Sequence, residues 1–280
     1  MTSPSTARPA PAATCRPREG IAVTRAAAAA AGIVLAGLAW TQGPPAPDRV
    51  DGGLVRGPRR GKVIALEFTG HEFAEGATTI LDELARRRAR ASFFLTGDFL
   101  RRPEFAAIVR RLVADGHYLG PHSDKHLLYC AWESRATTLV THDAFRRDLE
   151  DNLREIARFG VPRAQARYWV PAYEWYNAQL AGWSGELGLT LVNFTPGTRS
   201  NADYTGERDP AFVPSQAILD SILAREQRAP DGLNGFLLLL HIGAGPGRQD
   251  KMHARLGELL DELAARGYRF VRVDDLLRTD

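Results

Sequence analysis

Apolar runs of strand length alternate with amphipathic stretches of helical period across residues 63–273, and this alternation restricts the chain to a parallel sheet covered by helices. The expected strands are residues 63–68, 91–95, 118–119, 190–194, 235–241 and 269–273. Between them the apolar spacing predicts helices over 78–88, 103–115, 142–159, 177–186, 214–226 and 251–266. Such a sheet either closes into a barrel or stays open and doubly wound. In both cases the functional side chains stand just after the carboxyl ends of the strands.

A chain of 280 residues with 44% hydrophobic side chains can bury one substantial core, so a single domain over 62–280 is expected. Residues 49–61 read as a linker, because the stretch from Pro44 to Arg60 is dominated by Pro, Gly and charge. Residues 1–48 read as a signal peptide or anchor followed by linker: Arg16, Arg18 and Arg25 precede an uncharged run from Ala26 to Trp40, and a proline-rich break follows. Export to the cell envelope, periplasm or exterior is the expectation, with membrane contact only through an uncleaved N-terminal anchor. The formal net charge of +3 comes from scattered arginines, which argues against nucleic acid as a partner. Two cysteines, Cys15 and Cys130, are too few to staple a domain.

Three strand ends carry chemistry. Pro121-His122-Ser123-Asp124-Lys125-His126 follows the 118–119 strand, and two imidazoles four residues apart share one face if the loop enters a helix. Neutral imidazoles at that spacing suit zinc or another transition metal. Four leucines, 237–240, end in His241, so a strand buried on both faces delivers a histidine to the mouth of the fold. An imidazole there can hold a proton for a leaving group at neutral pH. The first strand runs into Thr69-Gly70-His71-Glu72, with Glu75 a little further on.

Taken together, these segments resemble the polysaccharide deacetylase family, with its NodB homology domain of carbohydrate esterase family 4. Residues 63–97 are similar to the family's opening strand, helix and Ala-Thr-Phe-Phe run, here "ASFFLTG". "DGHYLGPHSDKH" is similar to its His-Ser/Thr-x-x-x-His motif, and "LLLLH" to its closing leucine-histidine pair. The resemblance implies a distorted (β/α)7-type barrel in a single domain. It also implies His122 and His126 as metal ligands, zinc first and cobalt or nickel as alternatives, and His241 as catalytic acid. An acetylated glycan is the implied substrate.

The chain departs from the family where paired aspartates would stand, since Thr69 and Gly70 occupy those places. On this reading the nearest replacements are Glu72 as third metal ligand and His71 as base, with the two roles open to exchange and Glu75 a weaker choice. Valine 170 stands where the family has an arginine, for which Arg167 or Glu174 could substitute. Tyr173, Glu174 and Trp175 are expected at the sugar-binding wall, with the Tyr173 N–H as an oxyanion donor, because aromatic rings offer flat apolar faces with polar edges. Asp203-Tyr204 is similar to the family's Asp-Trp pair, which implies that Asp203 lies among the substrate-binding residues and tunes a catalytic partner. Two rival readings remain: a glycan-binding relative that has lost turnover, and a metal-dependent amidohydrolase with another substrate.

Overall fold

The computed structural model describes residues 46–278. The expected export signal and Cys15 lie outside them. The chain runs β1 (Asp48–Val50), β2 (Gly53–Arg56), β3 (Val63–Gly70), α1 (Ala77–Arg86), β4 (Ser92–Leu95), α2 (Gly97–Arg101), α3 (Ala106–Ala114), β5 (Tyr118–Pro121) and α4 (His142–Ala157). It continues with β6 (Tyr168–Trp169), α5 (Ala178–Glu186), β7 (Thr190–Leu191), α6 (Ser215–Arg228), β8 (Phe236–His241), α7 (Leu256–Ala265), β9 (Arg269–Val271) and α8 (Val273–Leu277).

Strand β3 is the axis of the sheet. Its whole length pairs in parallel with β8, its first half with β9 on the other edge, and its second half with β4, which in turn pairs with β5. The ring is completed by sparser bonds. Val170 N–H donates to the Pro121 carbonyl at 3.1 Å, β6 pairs with β7, and Asn193 N–H donates to the Leu54 carbonyl at 2.8 Å. Arg56 of β2 then meets Phe236 of β8. Strands β2, β8, β3, β4, β5, β6 and β7 thus form the expected distorted (β/α)7-type barrel.

Side chains alternate across β3, as the period of two requires. Ile64, Leu66 and Phe68 face outward into the core shared with the helices, while Ala65 packs inside with Leu54, Phe94, Val170, Val192, Leu237 and Leu239. Glu67 and Thr69 share the inner side with Ala65, and both are buried. Helix α1 shows what holds the outer layer: Ala77, Ile80, Leu81 and Leu84 recur on one face and are buried there. Each Leu or Ile of that kind contributes roughly 1.5–3 kcal/mol of transfer free energy.

Residues 48–56, read from sequence as linker, are part of the barrel. Asp51 and Gly52 both take positive φ, 44° and 83°, which is the two-residue turn that matches the twist of a hairpin. The Asp-Gly signal was present but lay inside a stretch whose Pro and charge content dominated. The expected 190–194 strand shortens to Thr190–Leu191, and Val273 opens α8 instead of ending a strand.

Candidate active site

A cavity of about 690 Å³ opens at the carboxyl ends of β3, β5 and β8. Its floor is made by His71, His122, His126, Glu174 and His241, with Thr69 below.

His122 is fixed on both sides. Its N–H donates to Asn152 Oδ1 at 2.8 Å, and its Nδ1 lies 2.9 Å from the Val170 carbonyl. A carbonyl only accepts, so Nδ1 carries the hydrogen and Nε2 is left with a lone pair. Burial, then neighbouring His126, holds this imidazole well below its ordinary pKa, so it is neutral.

No helix places His126 beside His122, contrary to the expectation for this loop. Two residues with left-handed backbone, Ser123 (φ 72°) and His126 (φ 54°), turn the chain back on itself. The Asp148 carboxylate holds that turn by accepting from the N–H groups of Asp124 and Lys125, at 2.9 and 3.2 Å. The His126 ring meets His122 edge-on at 5.1 Å and lies parallel to His71 at 4.6 Å. Burial, then His71 and His241, pushes its pKa down to about 3.

His71 has its Nδ1 3.1 Å from Thr96 Oγ1. That hydroxyl accepts from Phe99 N–H as the cap of α2, so its own hydrogen is available to the ring. The other ring nitrogen lies 4.0 Å from the Glu72 carboxylate.

Glu72 reaches the imidazole cluster only at its edge, beside His71. Its side chain is 62% exposed, and its carbonyl accepts from Arg102 at the rim. Among the described residues, no three His, Cys, Asp or Glu side chains are placed to hold a metal ion. The donors present are the two imidazoles of His122 and His126, one short of the three protein ligands of a catalytic zinc. The residues therefore do not complete the expected metal site. Gly70 shows why the missing acid is not recovered in place: a Cβ there would lie 2.6 Å from Ile242 Cγ2 and 2.9 Å from Leu95 Cδ2. Glu75 is committed elsewhere, accepting from the N–H groups of Ala244 and Gly245 and pairing with Lys251. Arg167 lies at a second cavity, beside His117 and Arg272, away from these residues.

His241 is the most strongly organised group. Asp203 accepts from its backbone N–H at 2.9 Å and meets its Nδ1 at 2.6 Å. Burial works against the charged imidazole, but Asp203 and then Glu174 outweigh it, so the His241 pKa is raised. Asp203, grouped with the substrate-binding residues and expected from the Asp-Trp resemblance to tune a catalytic partner, is 4% exposed and is held against His241.

Tyr173 and Glu174 line the cavity with left-handed backbone at both residues, φ 60° and 51°. Burial is the main cause that pushes the Glu174 carboxyl up to about 7; His241 opposes the shift and Asp203 adds to it. Trp175 donates from Nε1 to the Ala131 carbonyl at 3.1 Å and carries Arg135 over its face at 3.9 Å. Trp132 packs 5.5 Å from both Tyr173 and Trp175, forming an aromatic wall with more than half of Trp132 exposed. Sequence reasoning missed Trp132 and Arg135, which sit in a loop with no periodic signal. It also missed Glu67, one inward position below Thr69.

Together these elements define an α/β barrel whose titratable groups meet at the carboxyl ends of its strands, the arrangement of a barrel enzyme. Residues 56–192 match the polysaccharide deacetylase family, and the chain carries a domain of that family. It is 24% identical over 80% of its length to a peptidoglycan-N-acetylglucosamine deacetylase of Bacillus cereus, covering 71% of that protein. It is 28% identical over 68% of its length to a chitooligosaccharide deacetylase of Sinorhizobium fredii, covering 80% of it. Among solved structures, the Bc1960 peptidoglycan N-acetylglucosamine deacetylase superposes with a TM-score of 0.64 at 22% identity, over 81% of this chain and 92% of that one. BA3943 of Bacillus anthracis, described as a carbohydrate esterase family 4 pseudoenzyme, superposes with a TM-score of 0.63 at 17% identity, over 82% and 70%.

Proposed function

We propose that this protein is an exported carbohydrate deacetylase that hydrolyses acetyl groups from a polysaccharide or related glycan, with N-acetylglucosamine polymers as the substrate class. The observation that carries the reading is the His241–Asp203 pair, held at 2.6 Å in the same cavity as a cluster of neutral imidazoles. The relatives' names supply the substrate class, and the wall of Trp132, Tyr173 and Trp175 supplies a surface for sugar rings.

In this reaction water adds to the acetyl carbon and gives its proton to a base, forming a tetrahedral intermediate. The Nδ1 of His241 is occupied by Asp203, so the other ring nitrogen donates its proton to the glycan nitrogen as the carbon–nitrogen bond breaks. Acetate and a free amine leave. His122 and His126 are the two donors present that would hold zinc, cobalt or nickel; with Glu72 out of place they do not complete a three-ligand site, and no step passes through a metal. Bound metal would supply Lewis acidity at the acetyl oxygen.

Acetate release from chitooligosaccharides tests the proposal. The protein is expected to release acetate, and His122→Ala, which opens the floor, to lose at least about 100-fold in rate. Metal content of the two purified proteins reads the zinc assignment separately. The second reading, glycan binding without turnover, rests on Thr69 and Gly70 standing where the family has its acids; retention of the oligosaccharide with no acetate would establish it.

A further inference from the structure

The proposed deacetylation needs a base, and the first loop does not provide one: Glu72 is 62% exposed, Thr69 is no base at neutral pH, and His71, whose Nδ1 accepts from the Thr96 hydroxyl, carries its hydrogen on Nε2. Two carboxyl groups without any structural partner lie elsewhere in the site. Glu67 is fully buried inside the barrel between Ser92 of β4 and Leu239 of β8, on the same side of β3 as Thr69, and neither of its oxygens has a hydrogen-bond partner. An uncompensated buried carboxyl is costly, and where a fold keeps one, a functional role is the first explanation to test. Glu174 lines the cavity, and no hydrogen bond or ion pair engages its side chain.

The backbone holds Glu174 there by force. Two successive non-glycine residues in the left-handed region are unusual, and such strain persists only where the surroundings impose it. Here Glu174 N–H donates to the Pro171 carbonyl at 3.0 Å, and the Glu174 carbonyl accepts from Asn193 Nδ2 at 2.8 Å. The titratable groups facing this carboxyl are His241 from β8, Asp203 and Tyr204 from the loop after β7, and Glu67 from β3.

We propose that Glu174 is the general base of this site, with Glu67, one inward position below Thr69 on β3, as a second unpartnered carboxyl inside the barrel. The proposal rests on the deacetylase reading. Glu174 takes a proton from water as the water oxygen bonds to the acetyl carbon; His241 gives its proton to the leaving nitrogen. The proton on Glu174 then passes to His241, restoring both groups. Their environments suit these roles. Burial pushes Glu174 up to about 7, where a carboxylate is basic enough to accept a proton, while Asp203, against burial, raises the His241 pKa and favours its proton-bearing form. Burial, then the Glu174 charge, pushes Glu67 up to about 8, so the two carboxyls give up their protons within the same mildly acidic to alkaline range.

Glu174→Gln keeps the shape and removes the base. Its kcat is expected to fall about 10²–10⁴-fold with KM little changed, and the acidic limb of the kcat/KM profile near pH 7 to disappear. Infrared spectra titrated from mildly acidic to alkaline pH give a readout independent of activity. The protein is expected to lose two protonated-carboxyl bands in this range, and Glu67→Gln and Glu174→Gln to lack one each. A Glu174→Gln protein with normal kcat and an intact acidic limb would overturn the base assignment while leaving acetate release standing. Bands unchanged by either substitution would overturn the assignment of the two carboxyls. Absence of acetate release from the unmodified protein would instead overturn the deacetylase reading, and with it the catalytic role.

Discussion

Glu67→Gln is expected to stabilise the protein at alkaline pH relative to the unmodified chain, by up to about 5 kcal/mol once the medium is above pH 8. The Glu67 carboxyl is wholly buried without a partner, and its pKa rises from 4.5 to about 8. Below pH 4.5 the group is protonated in both the folded and unfolded chains and has no effect on the balance. As pH rises from there, the unfolded chain releases the proton and the folded chain does not, so folding loses about 1.4 kcal/mol per pH unit until the folded pKa is passed. The glutamine variant has no such slope, although its buried amide has its own unsatisfied groups, costing about 1–3 kcal/mol at every pH. Denaturant unfolding of both proteins at a series of pH values checks this: the difference in free energy should grow with pH. A constant difference would mean that Glu67 is ionised throughout and paired with something.

The second large effect is expected at His241. Replacing it with alanine removes the proposed proton donor for the leaving nitrogen, for which kcat should fall about 10²–10⁴-fold. It also strands Asp203, 4% exposed, whose charge is then left with the residue 241 backbone N–H and no cation, at a cost of about 3 kcal/mol. The double variant His241→Ala/Asp203→Asn separates the two consequences: stability should largely return, and activity should not. Recovery of activity in the double variant would show that His241 serves only to neutralise Asp203.

Much of this was legible in the sequence. The alternation of apolar runs located the parallel strands, and the leucine run ending in His241 placed that residue at a strand mouth because a strand buried on both faces exposes only its end. The His122 and His126 pair was also readable, but for a reason the structure corrects: the two rings meet through turns at Ser123 and His126 held by Asp148, not through helical spacing. Glu72 illustrates the limit of local reasoning. It follows the strand end immediately, yet its side chain is exposed, because the inward positions are set by the alternation along β3, on which Ala65, Glu67 and Thr69 face inside. The same alternation, applied backwards from Thr69, would have pointed to Glu67. Trp132, Arg135 and the Tyr173–Glu174 backbone depend on contacts between loops far apart in sequence, which no local pattern encodes.

On the proposed function, the cavity at the ends of β3, β5 and β8 breaks the bond between an acetyl group and a sugar nitrogen and leaves the glycan chain whole. Mass spectrometry of a defined N-acetylglucosamine oligomer after incubation with the protein reads this directly. Oligomers of unchanged length lacking one or more acetyl groups are the predicted product, and shortened chains or fully acetylated starting material would contradict it.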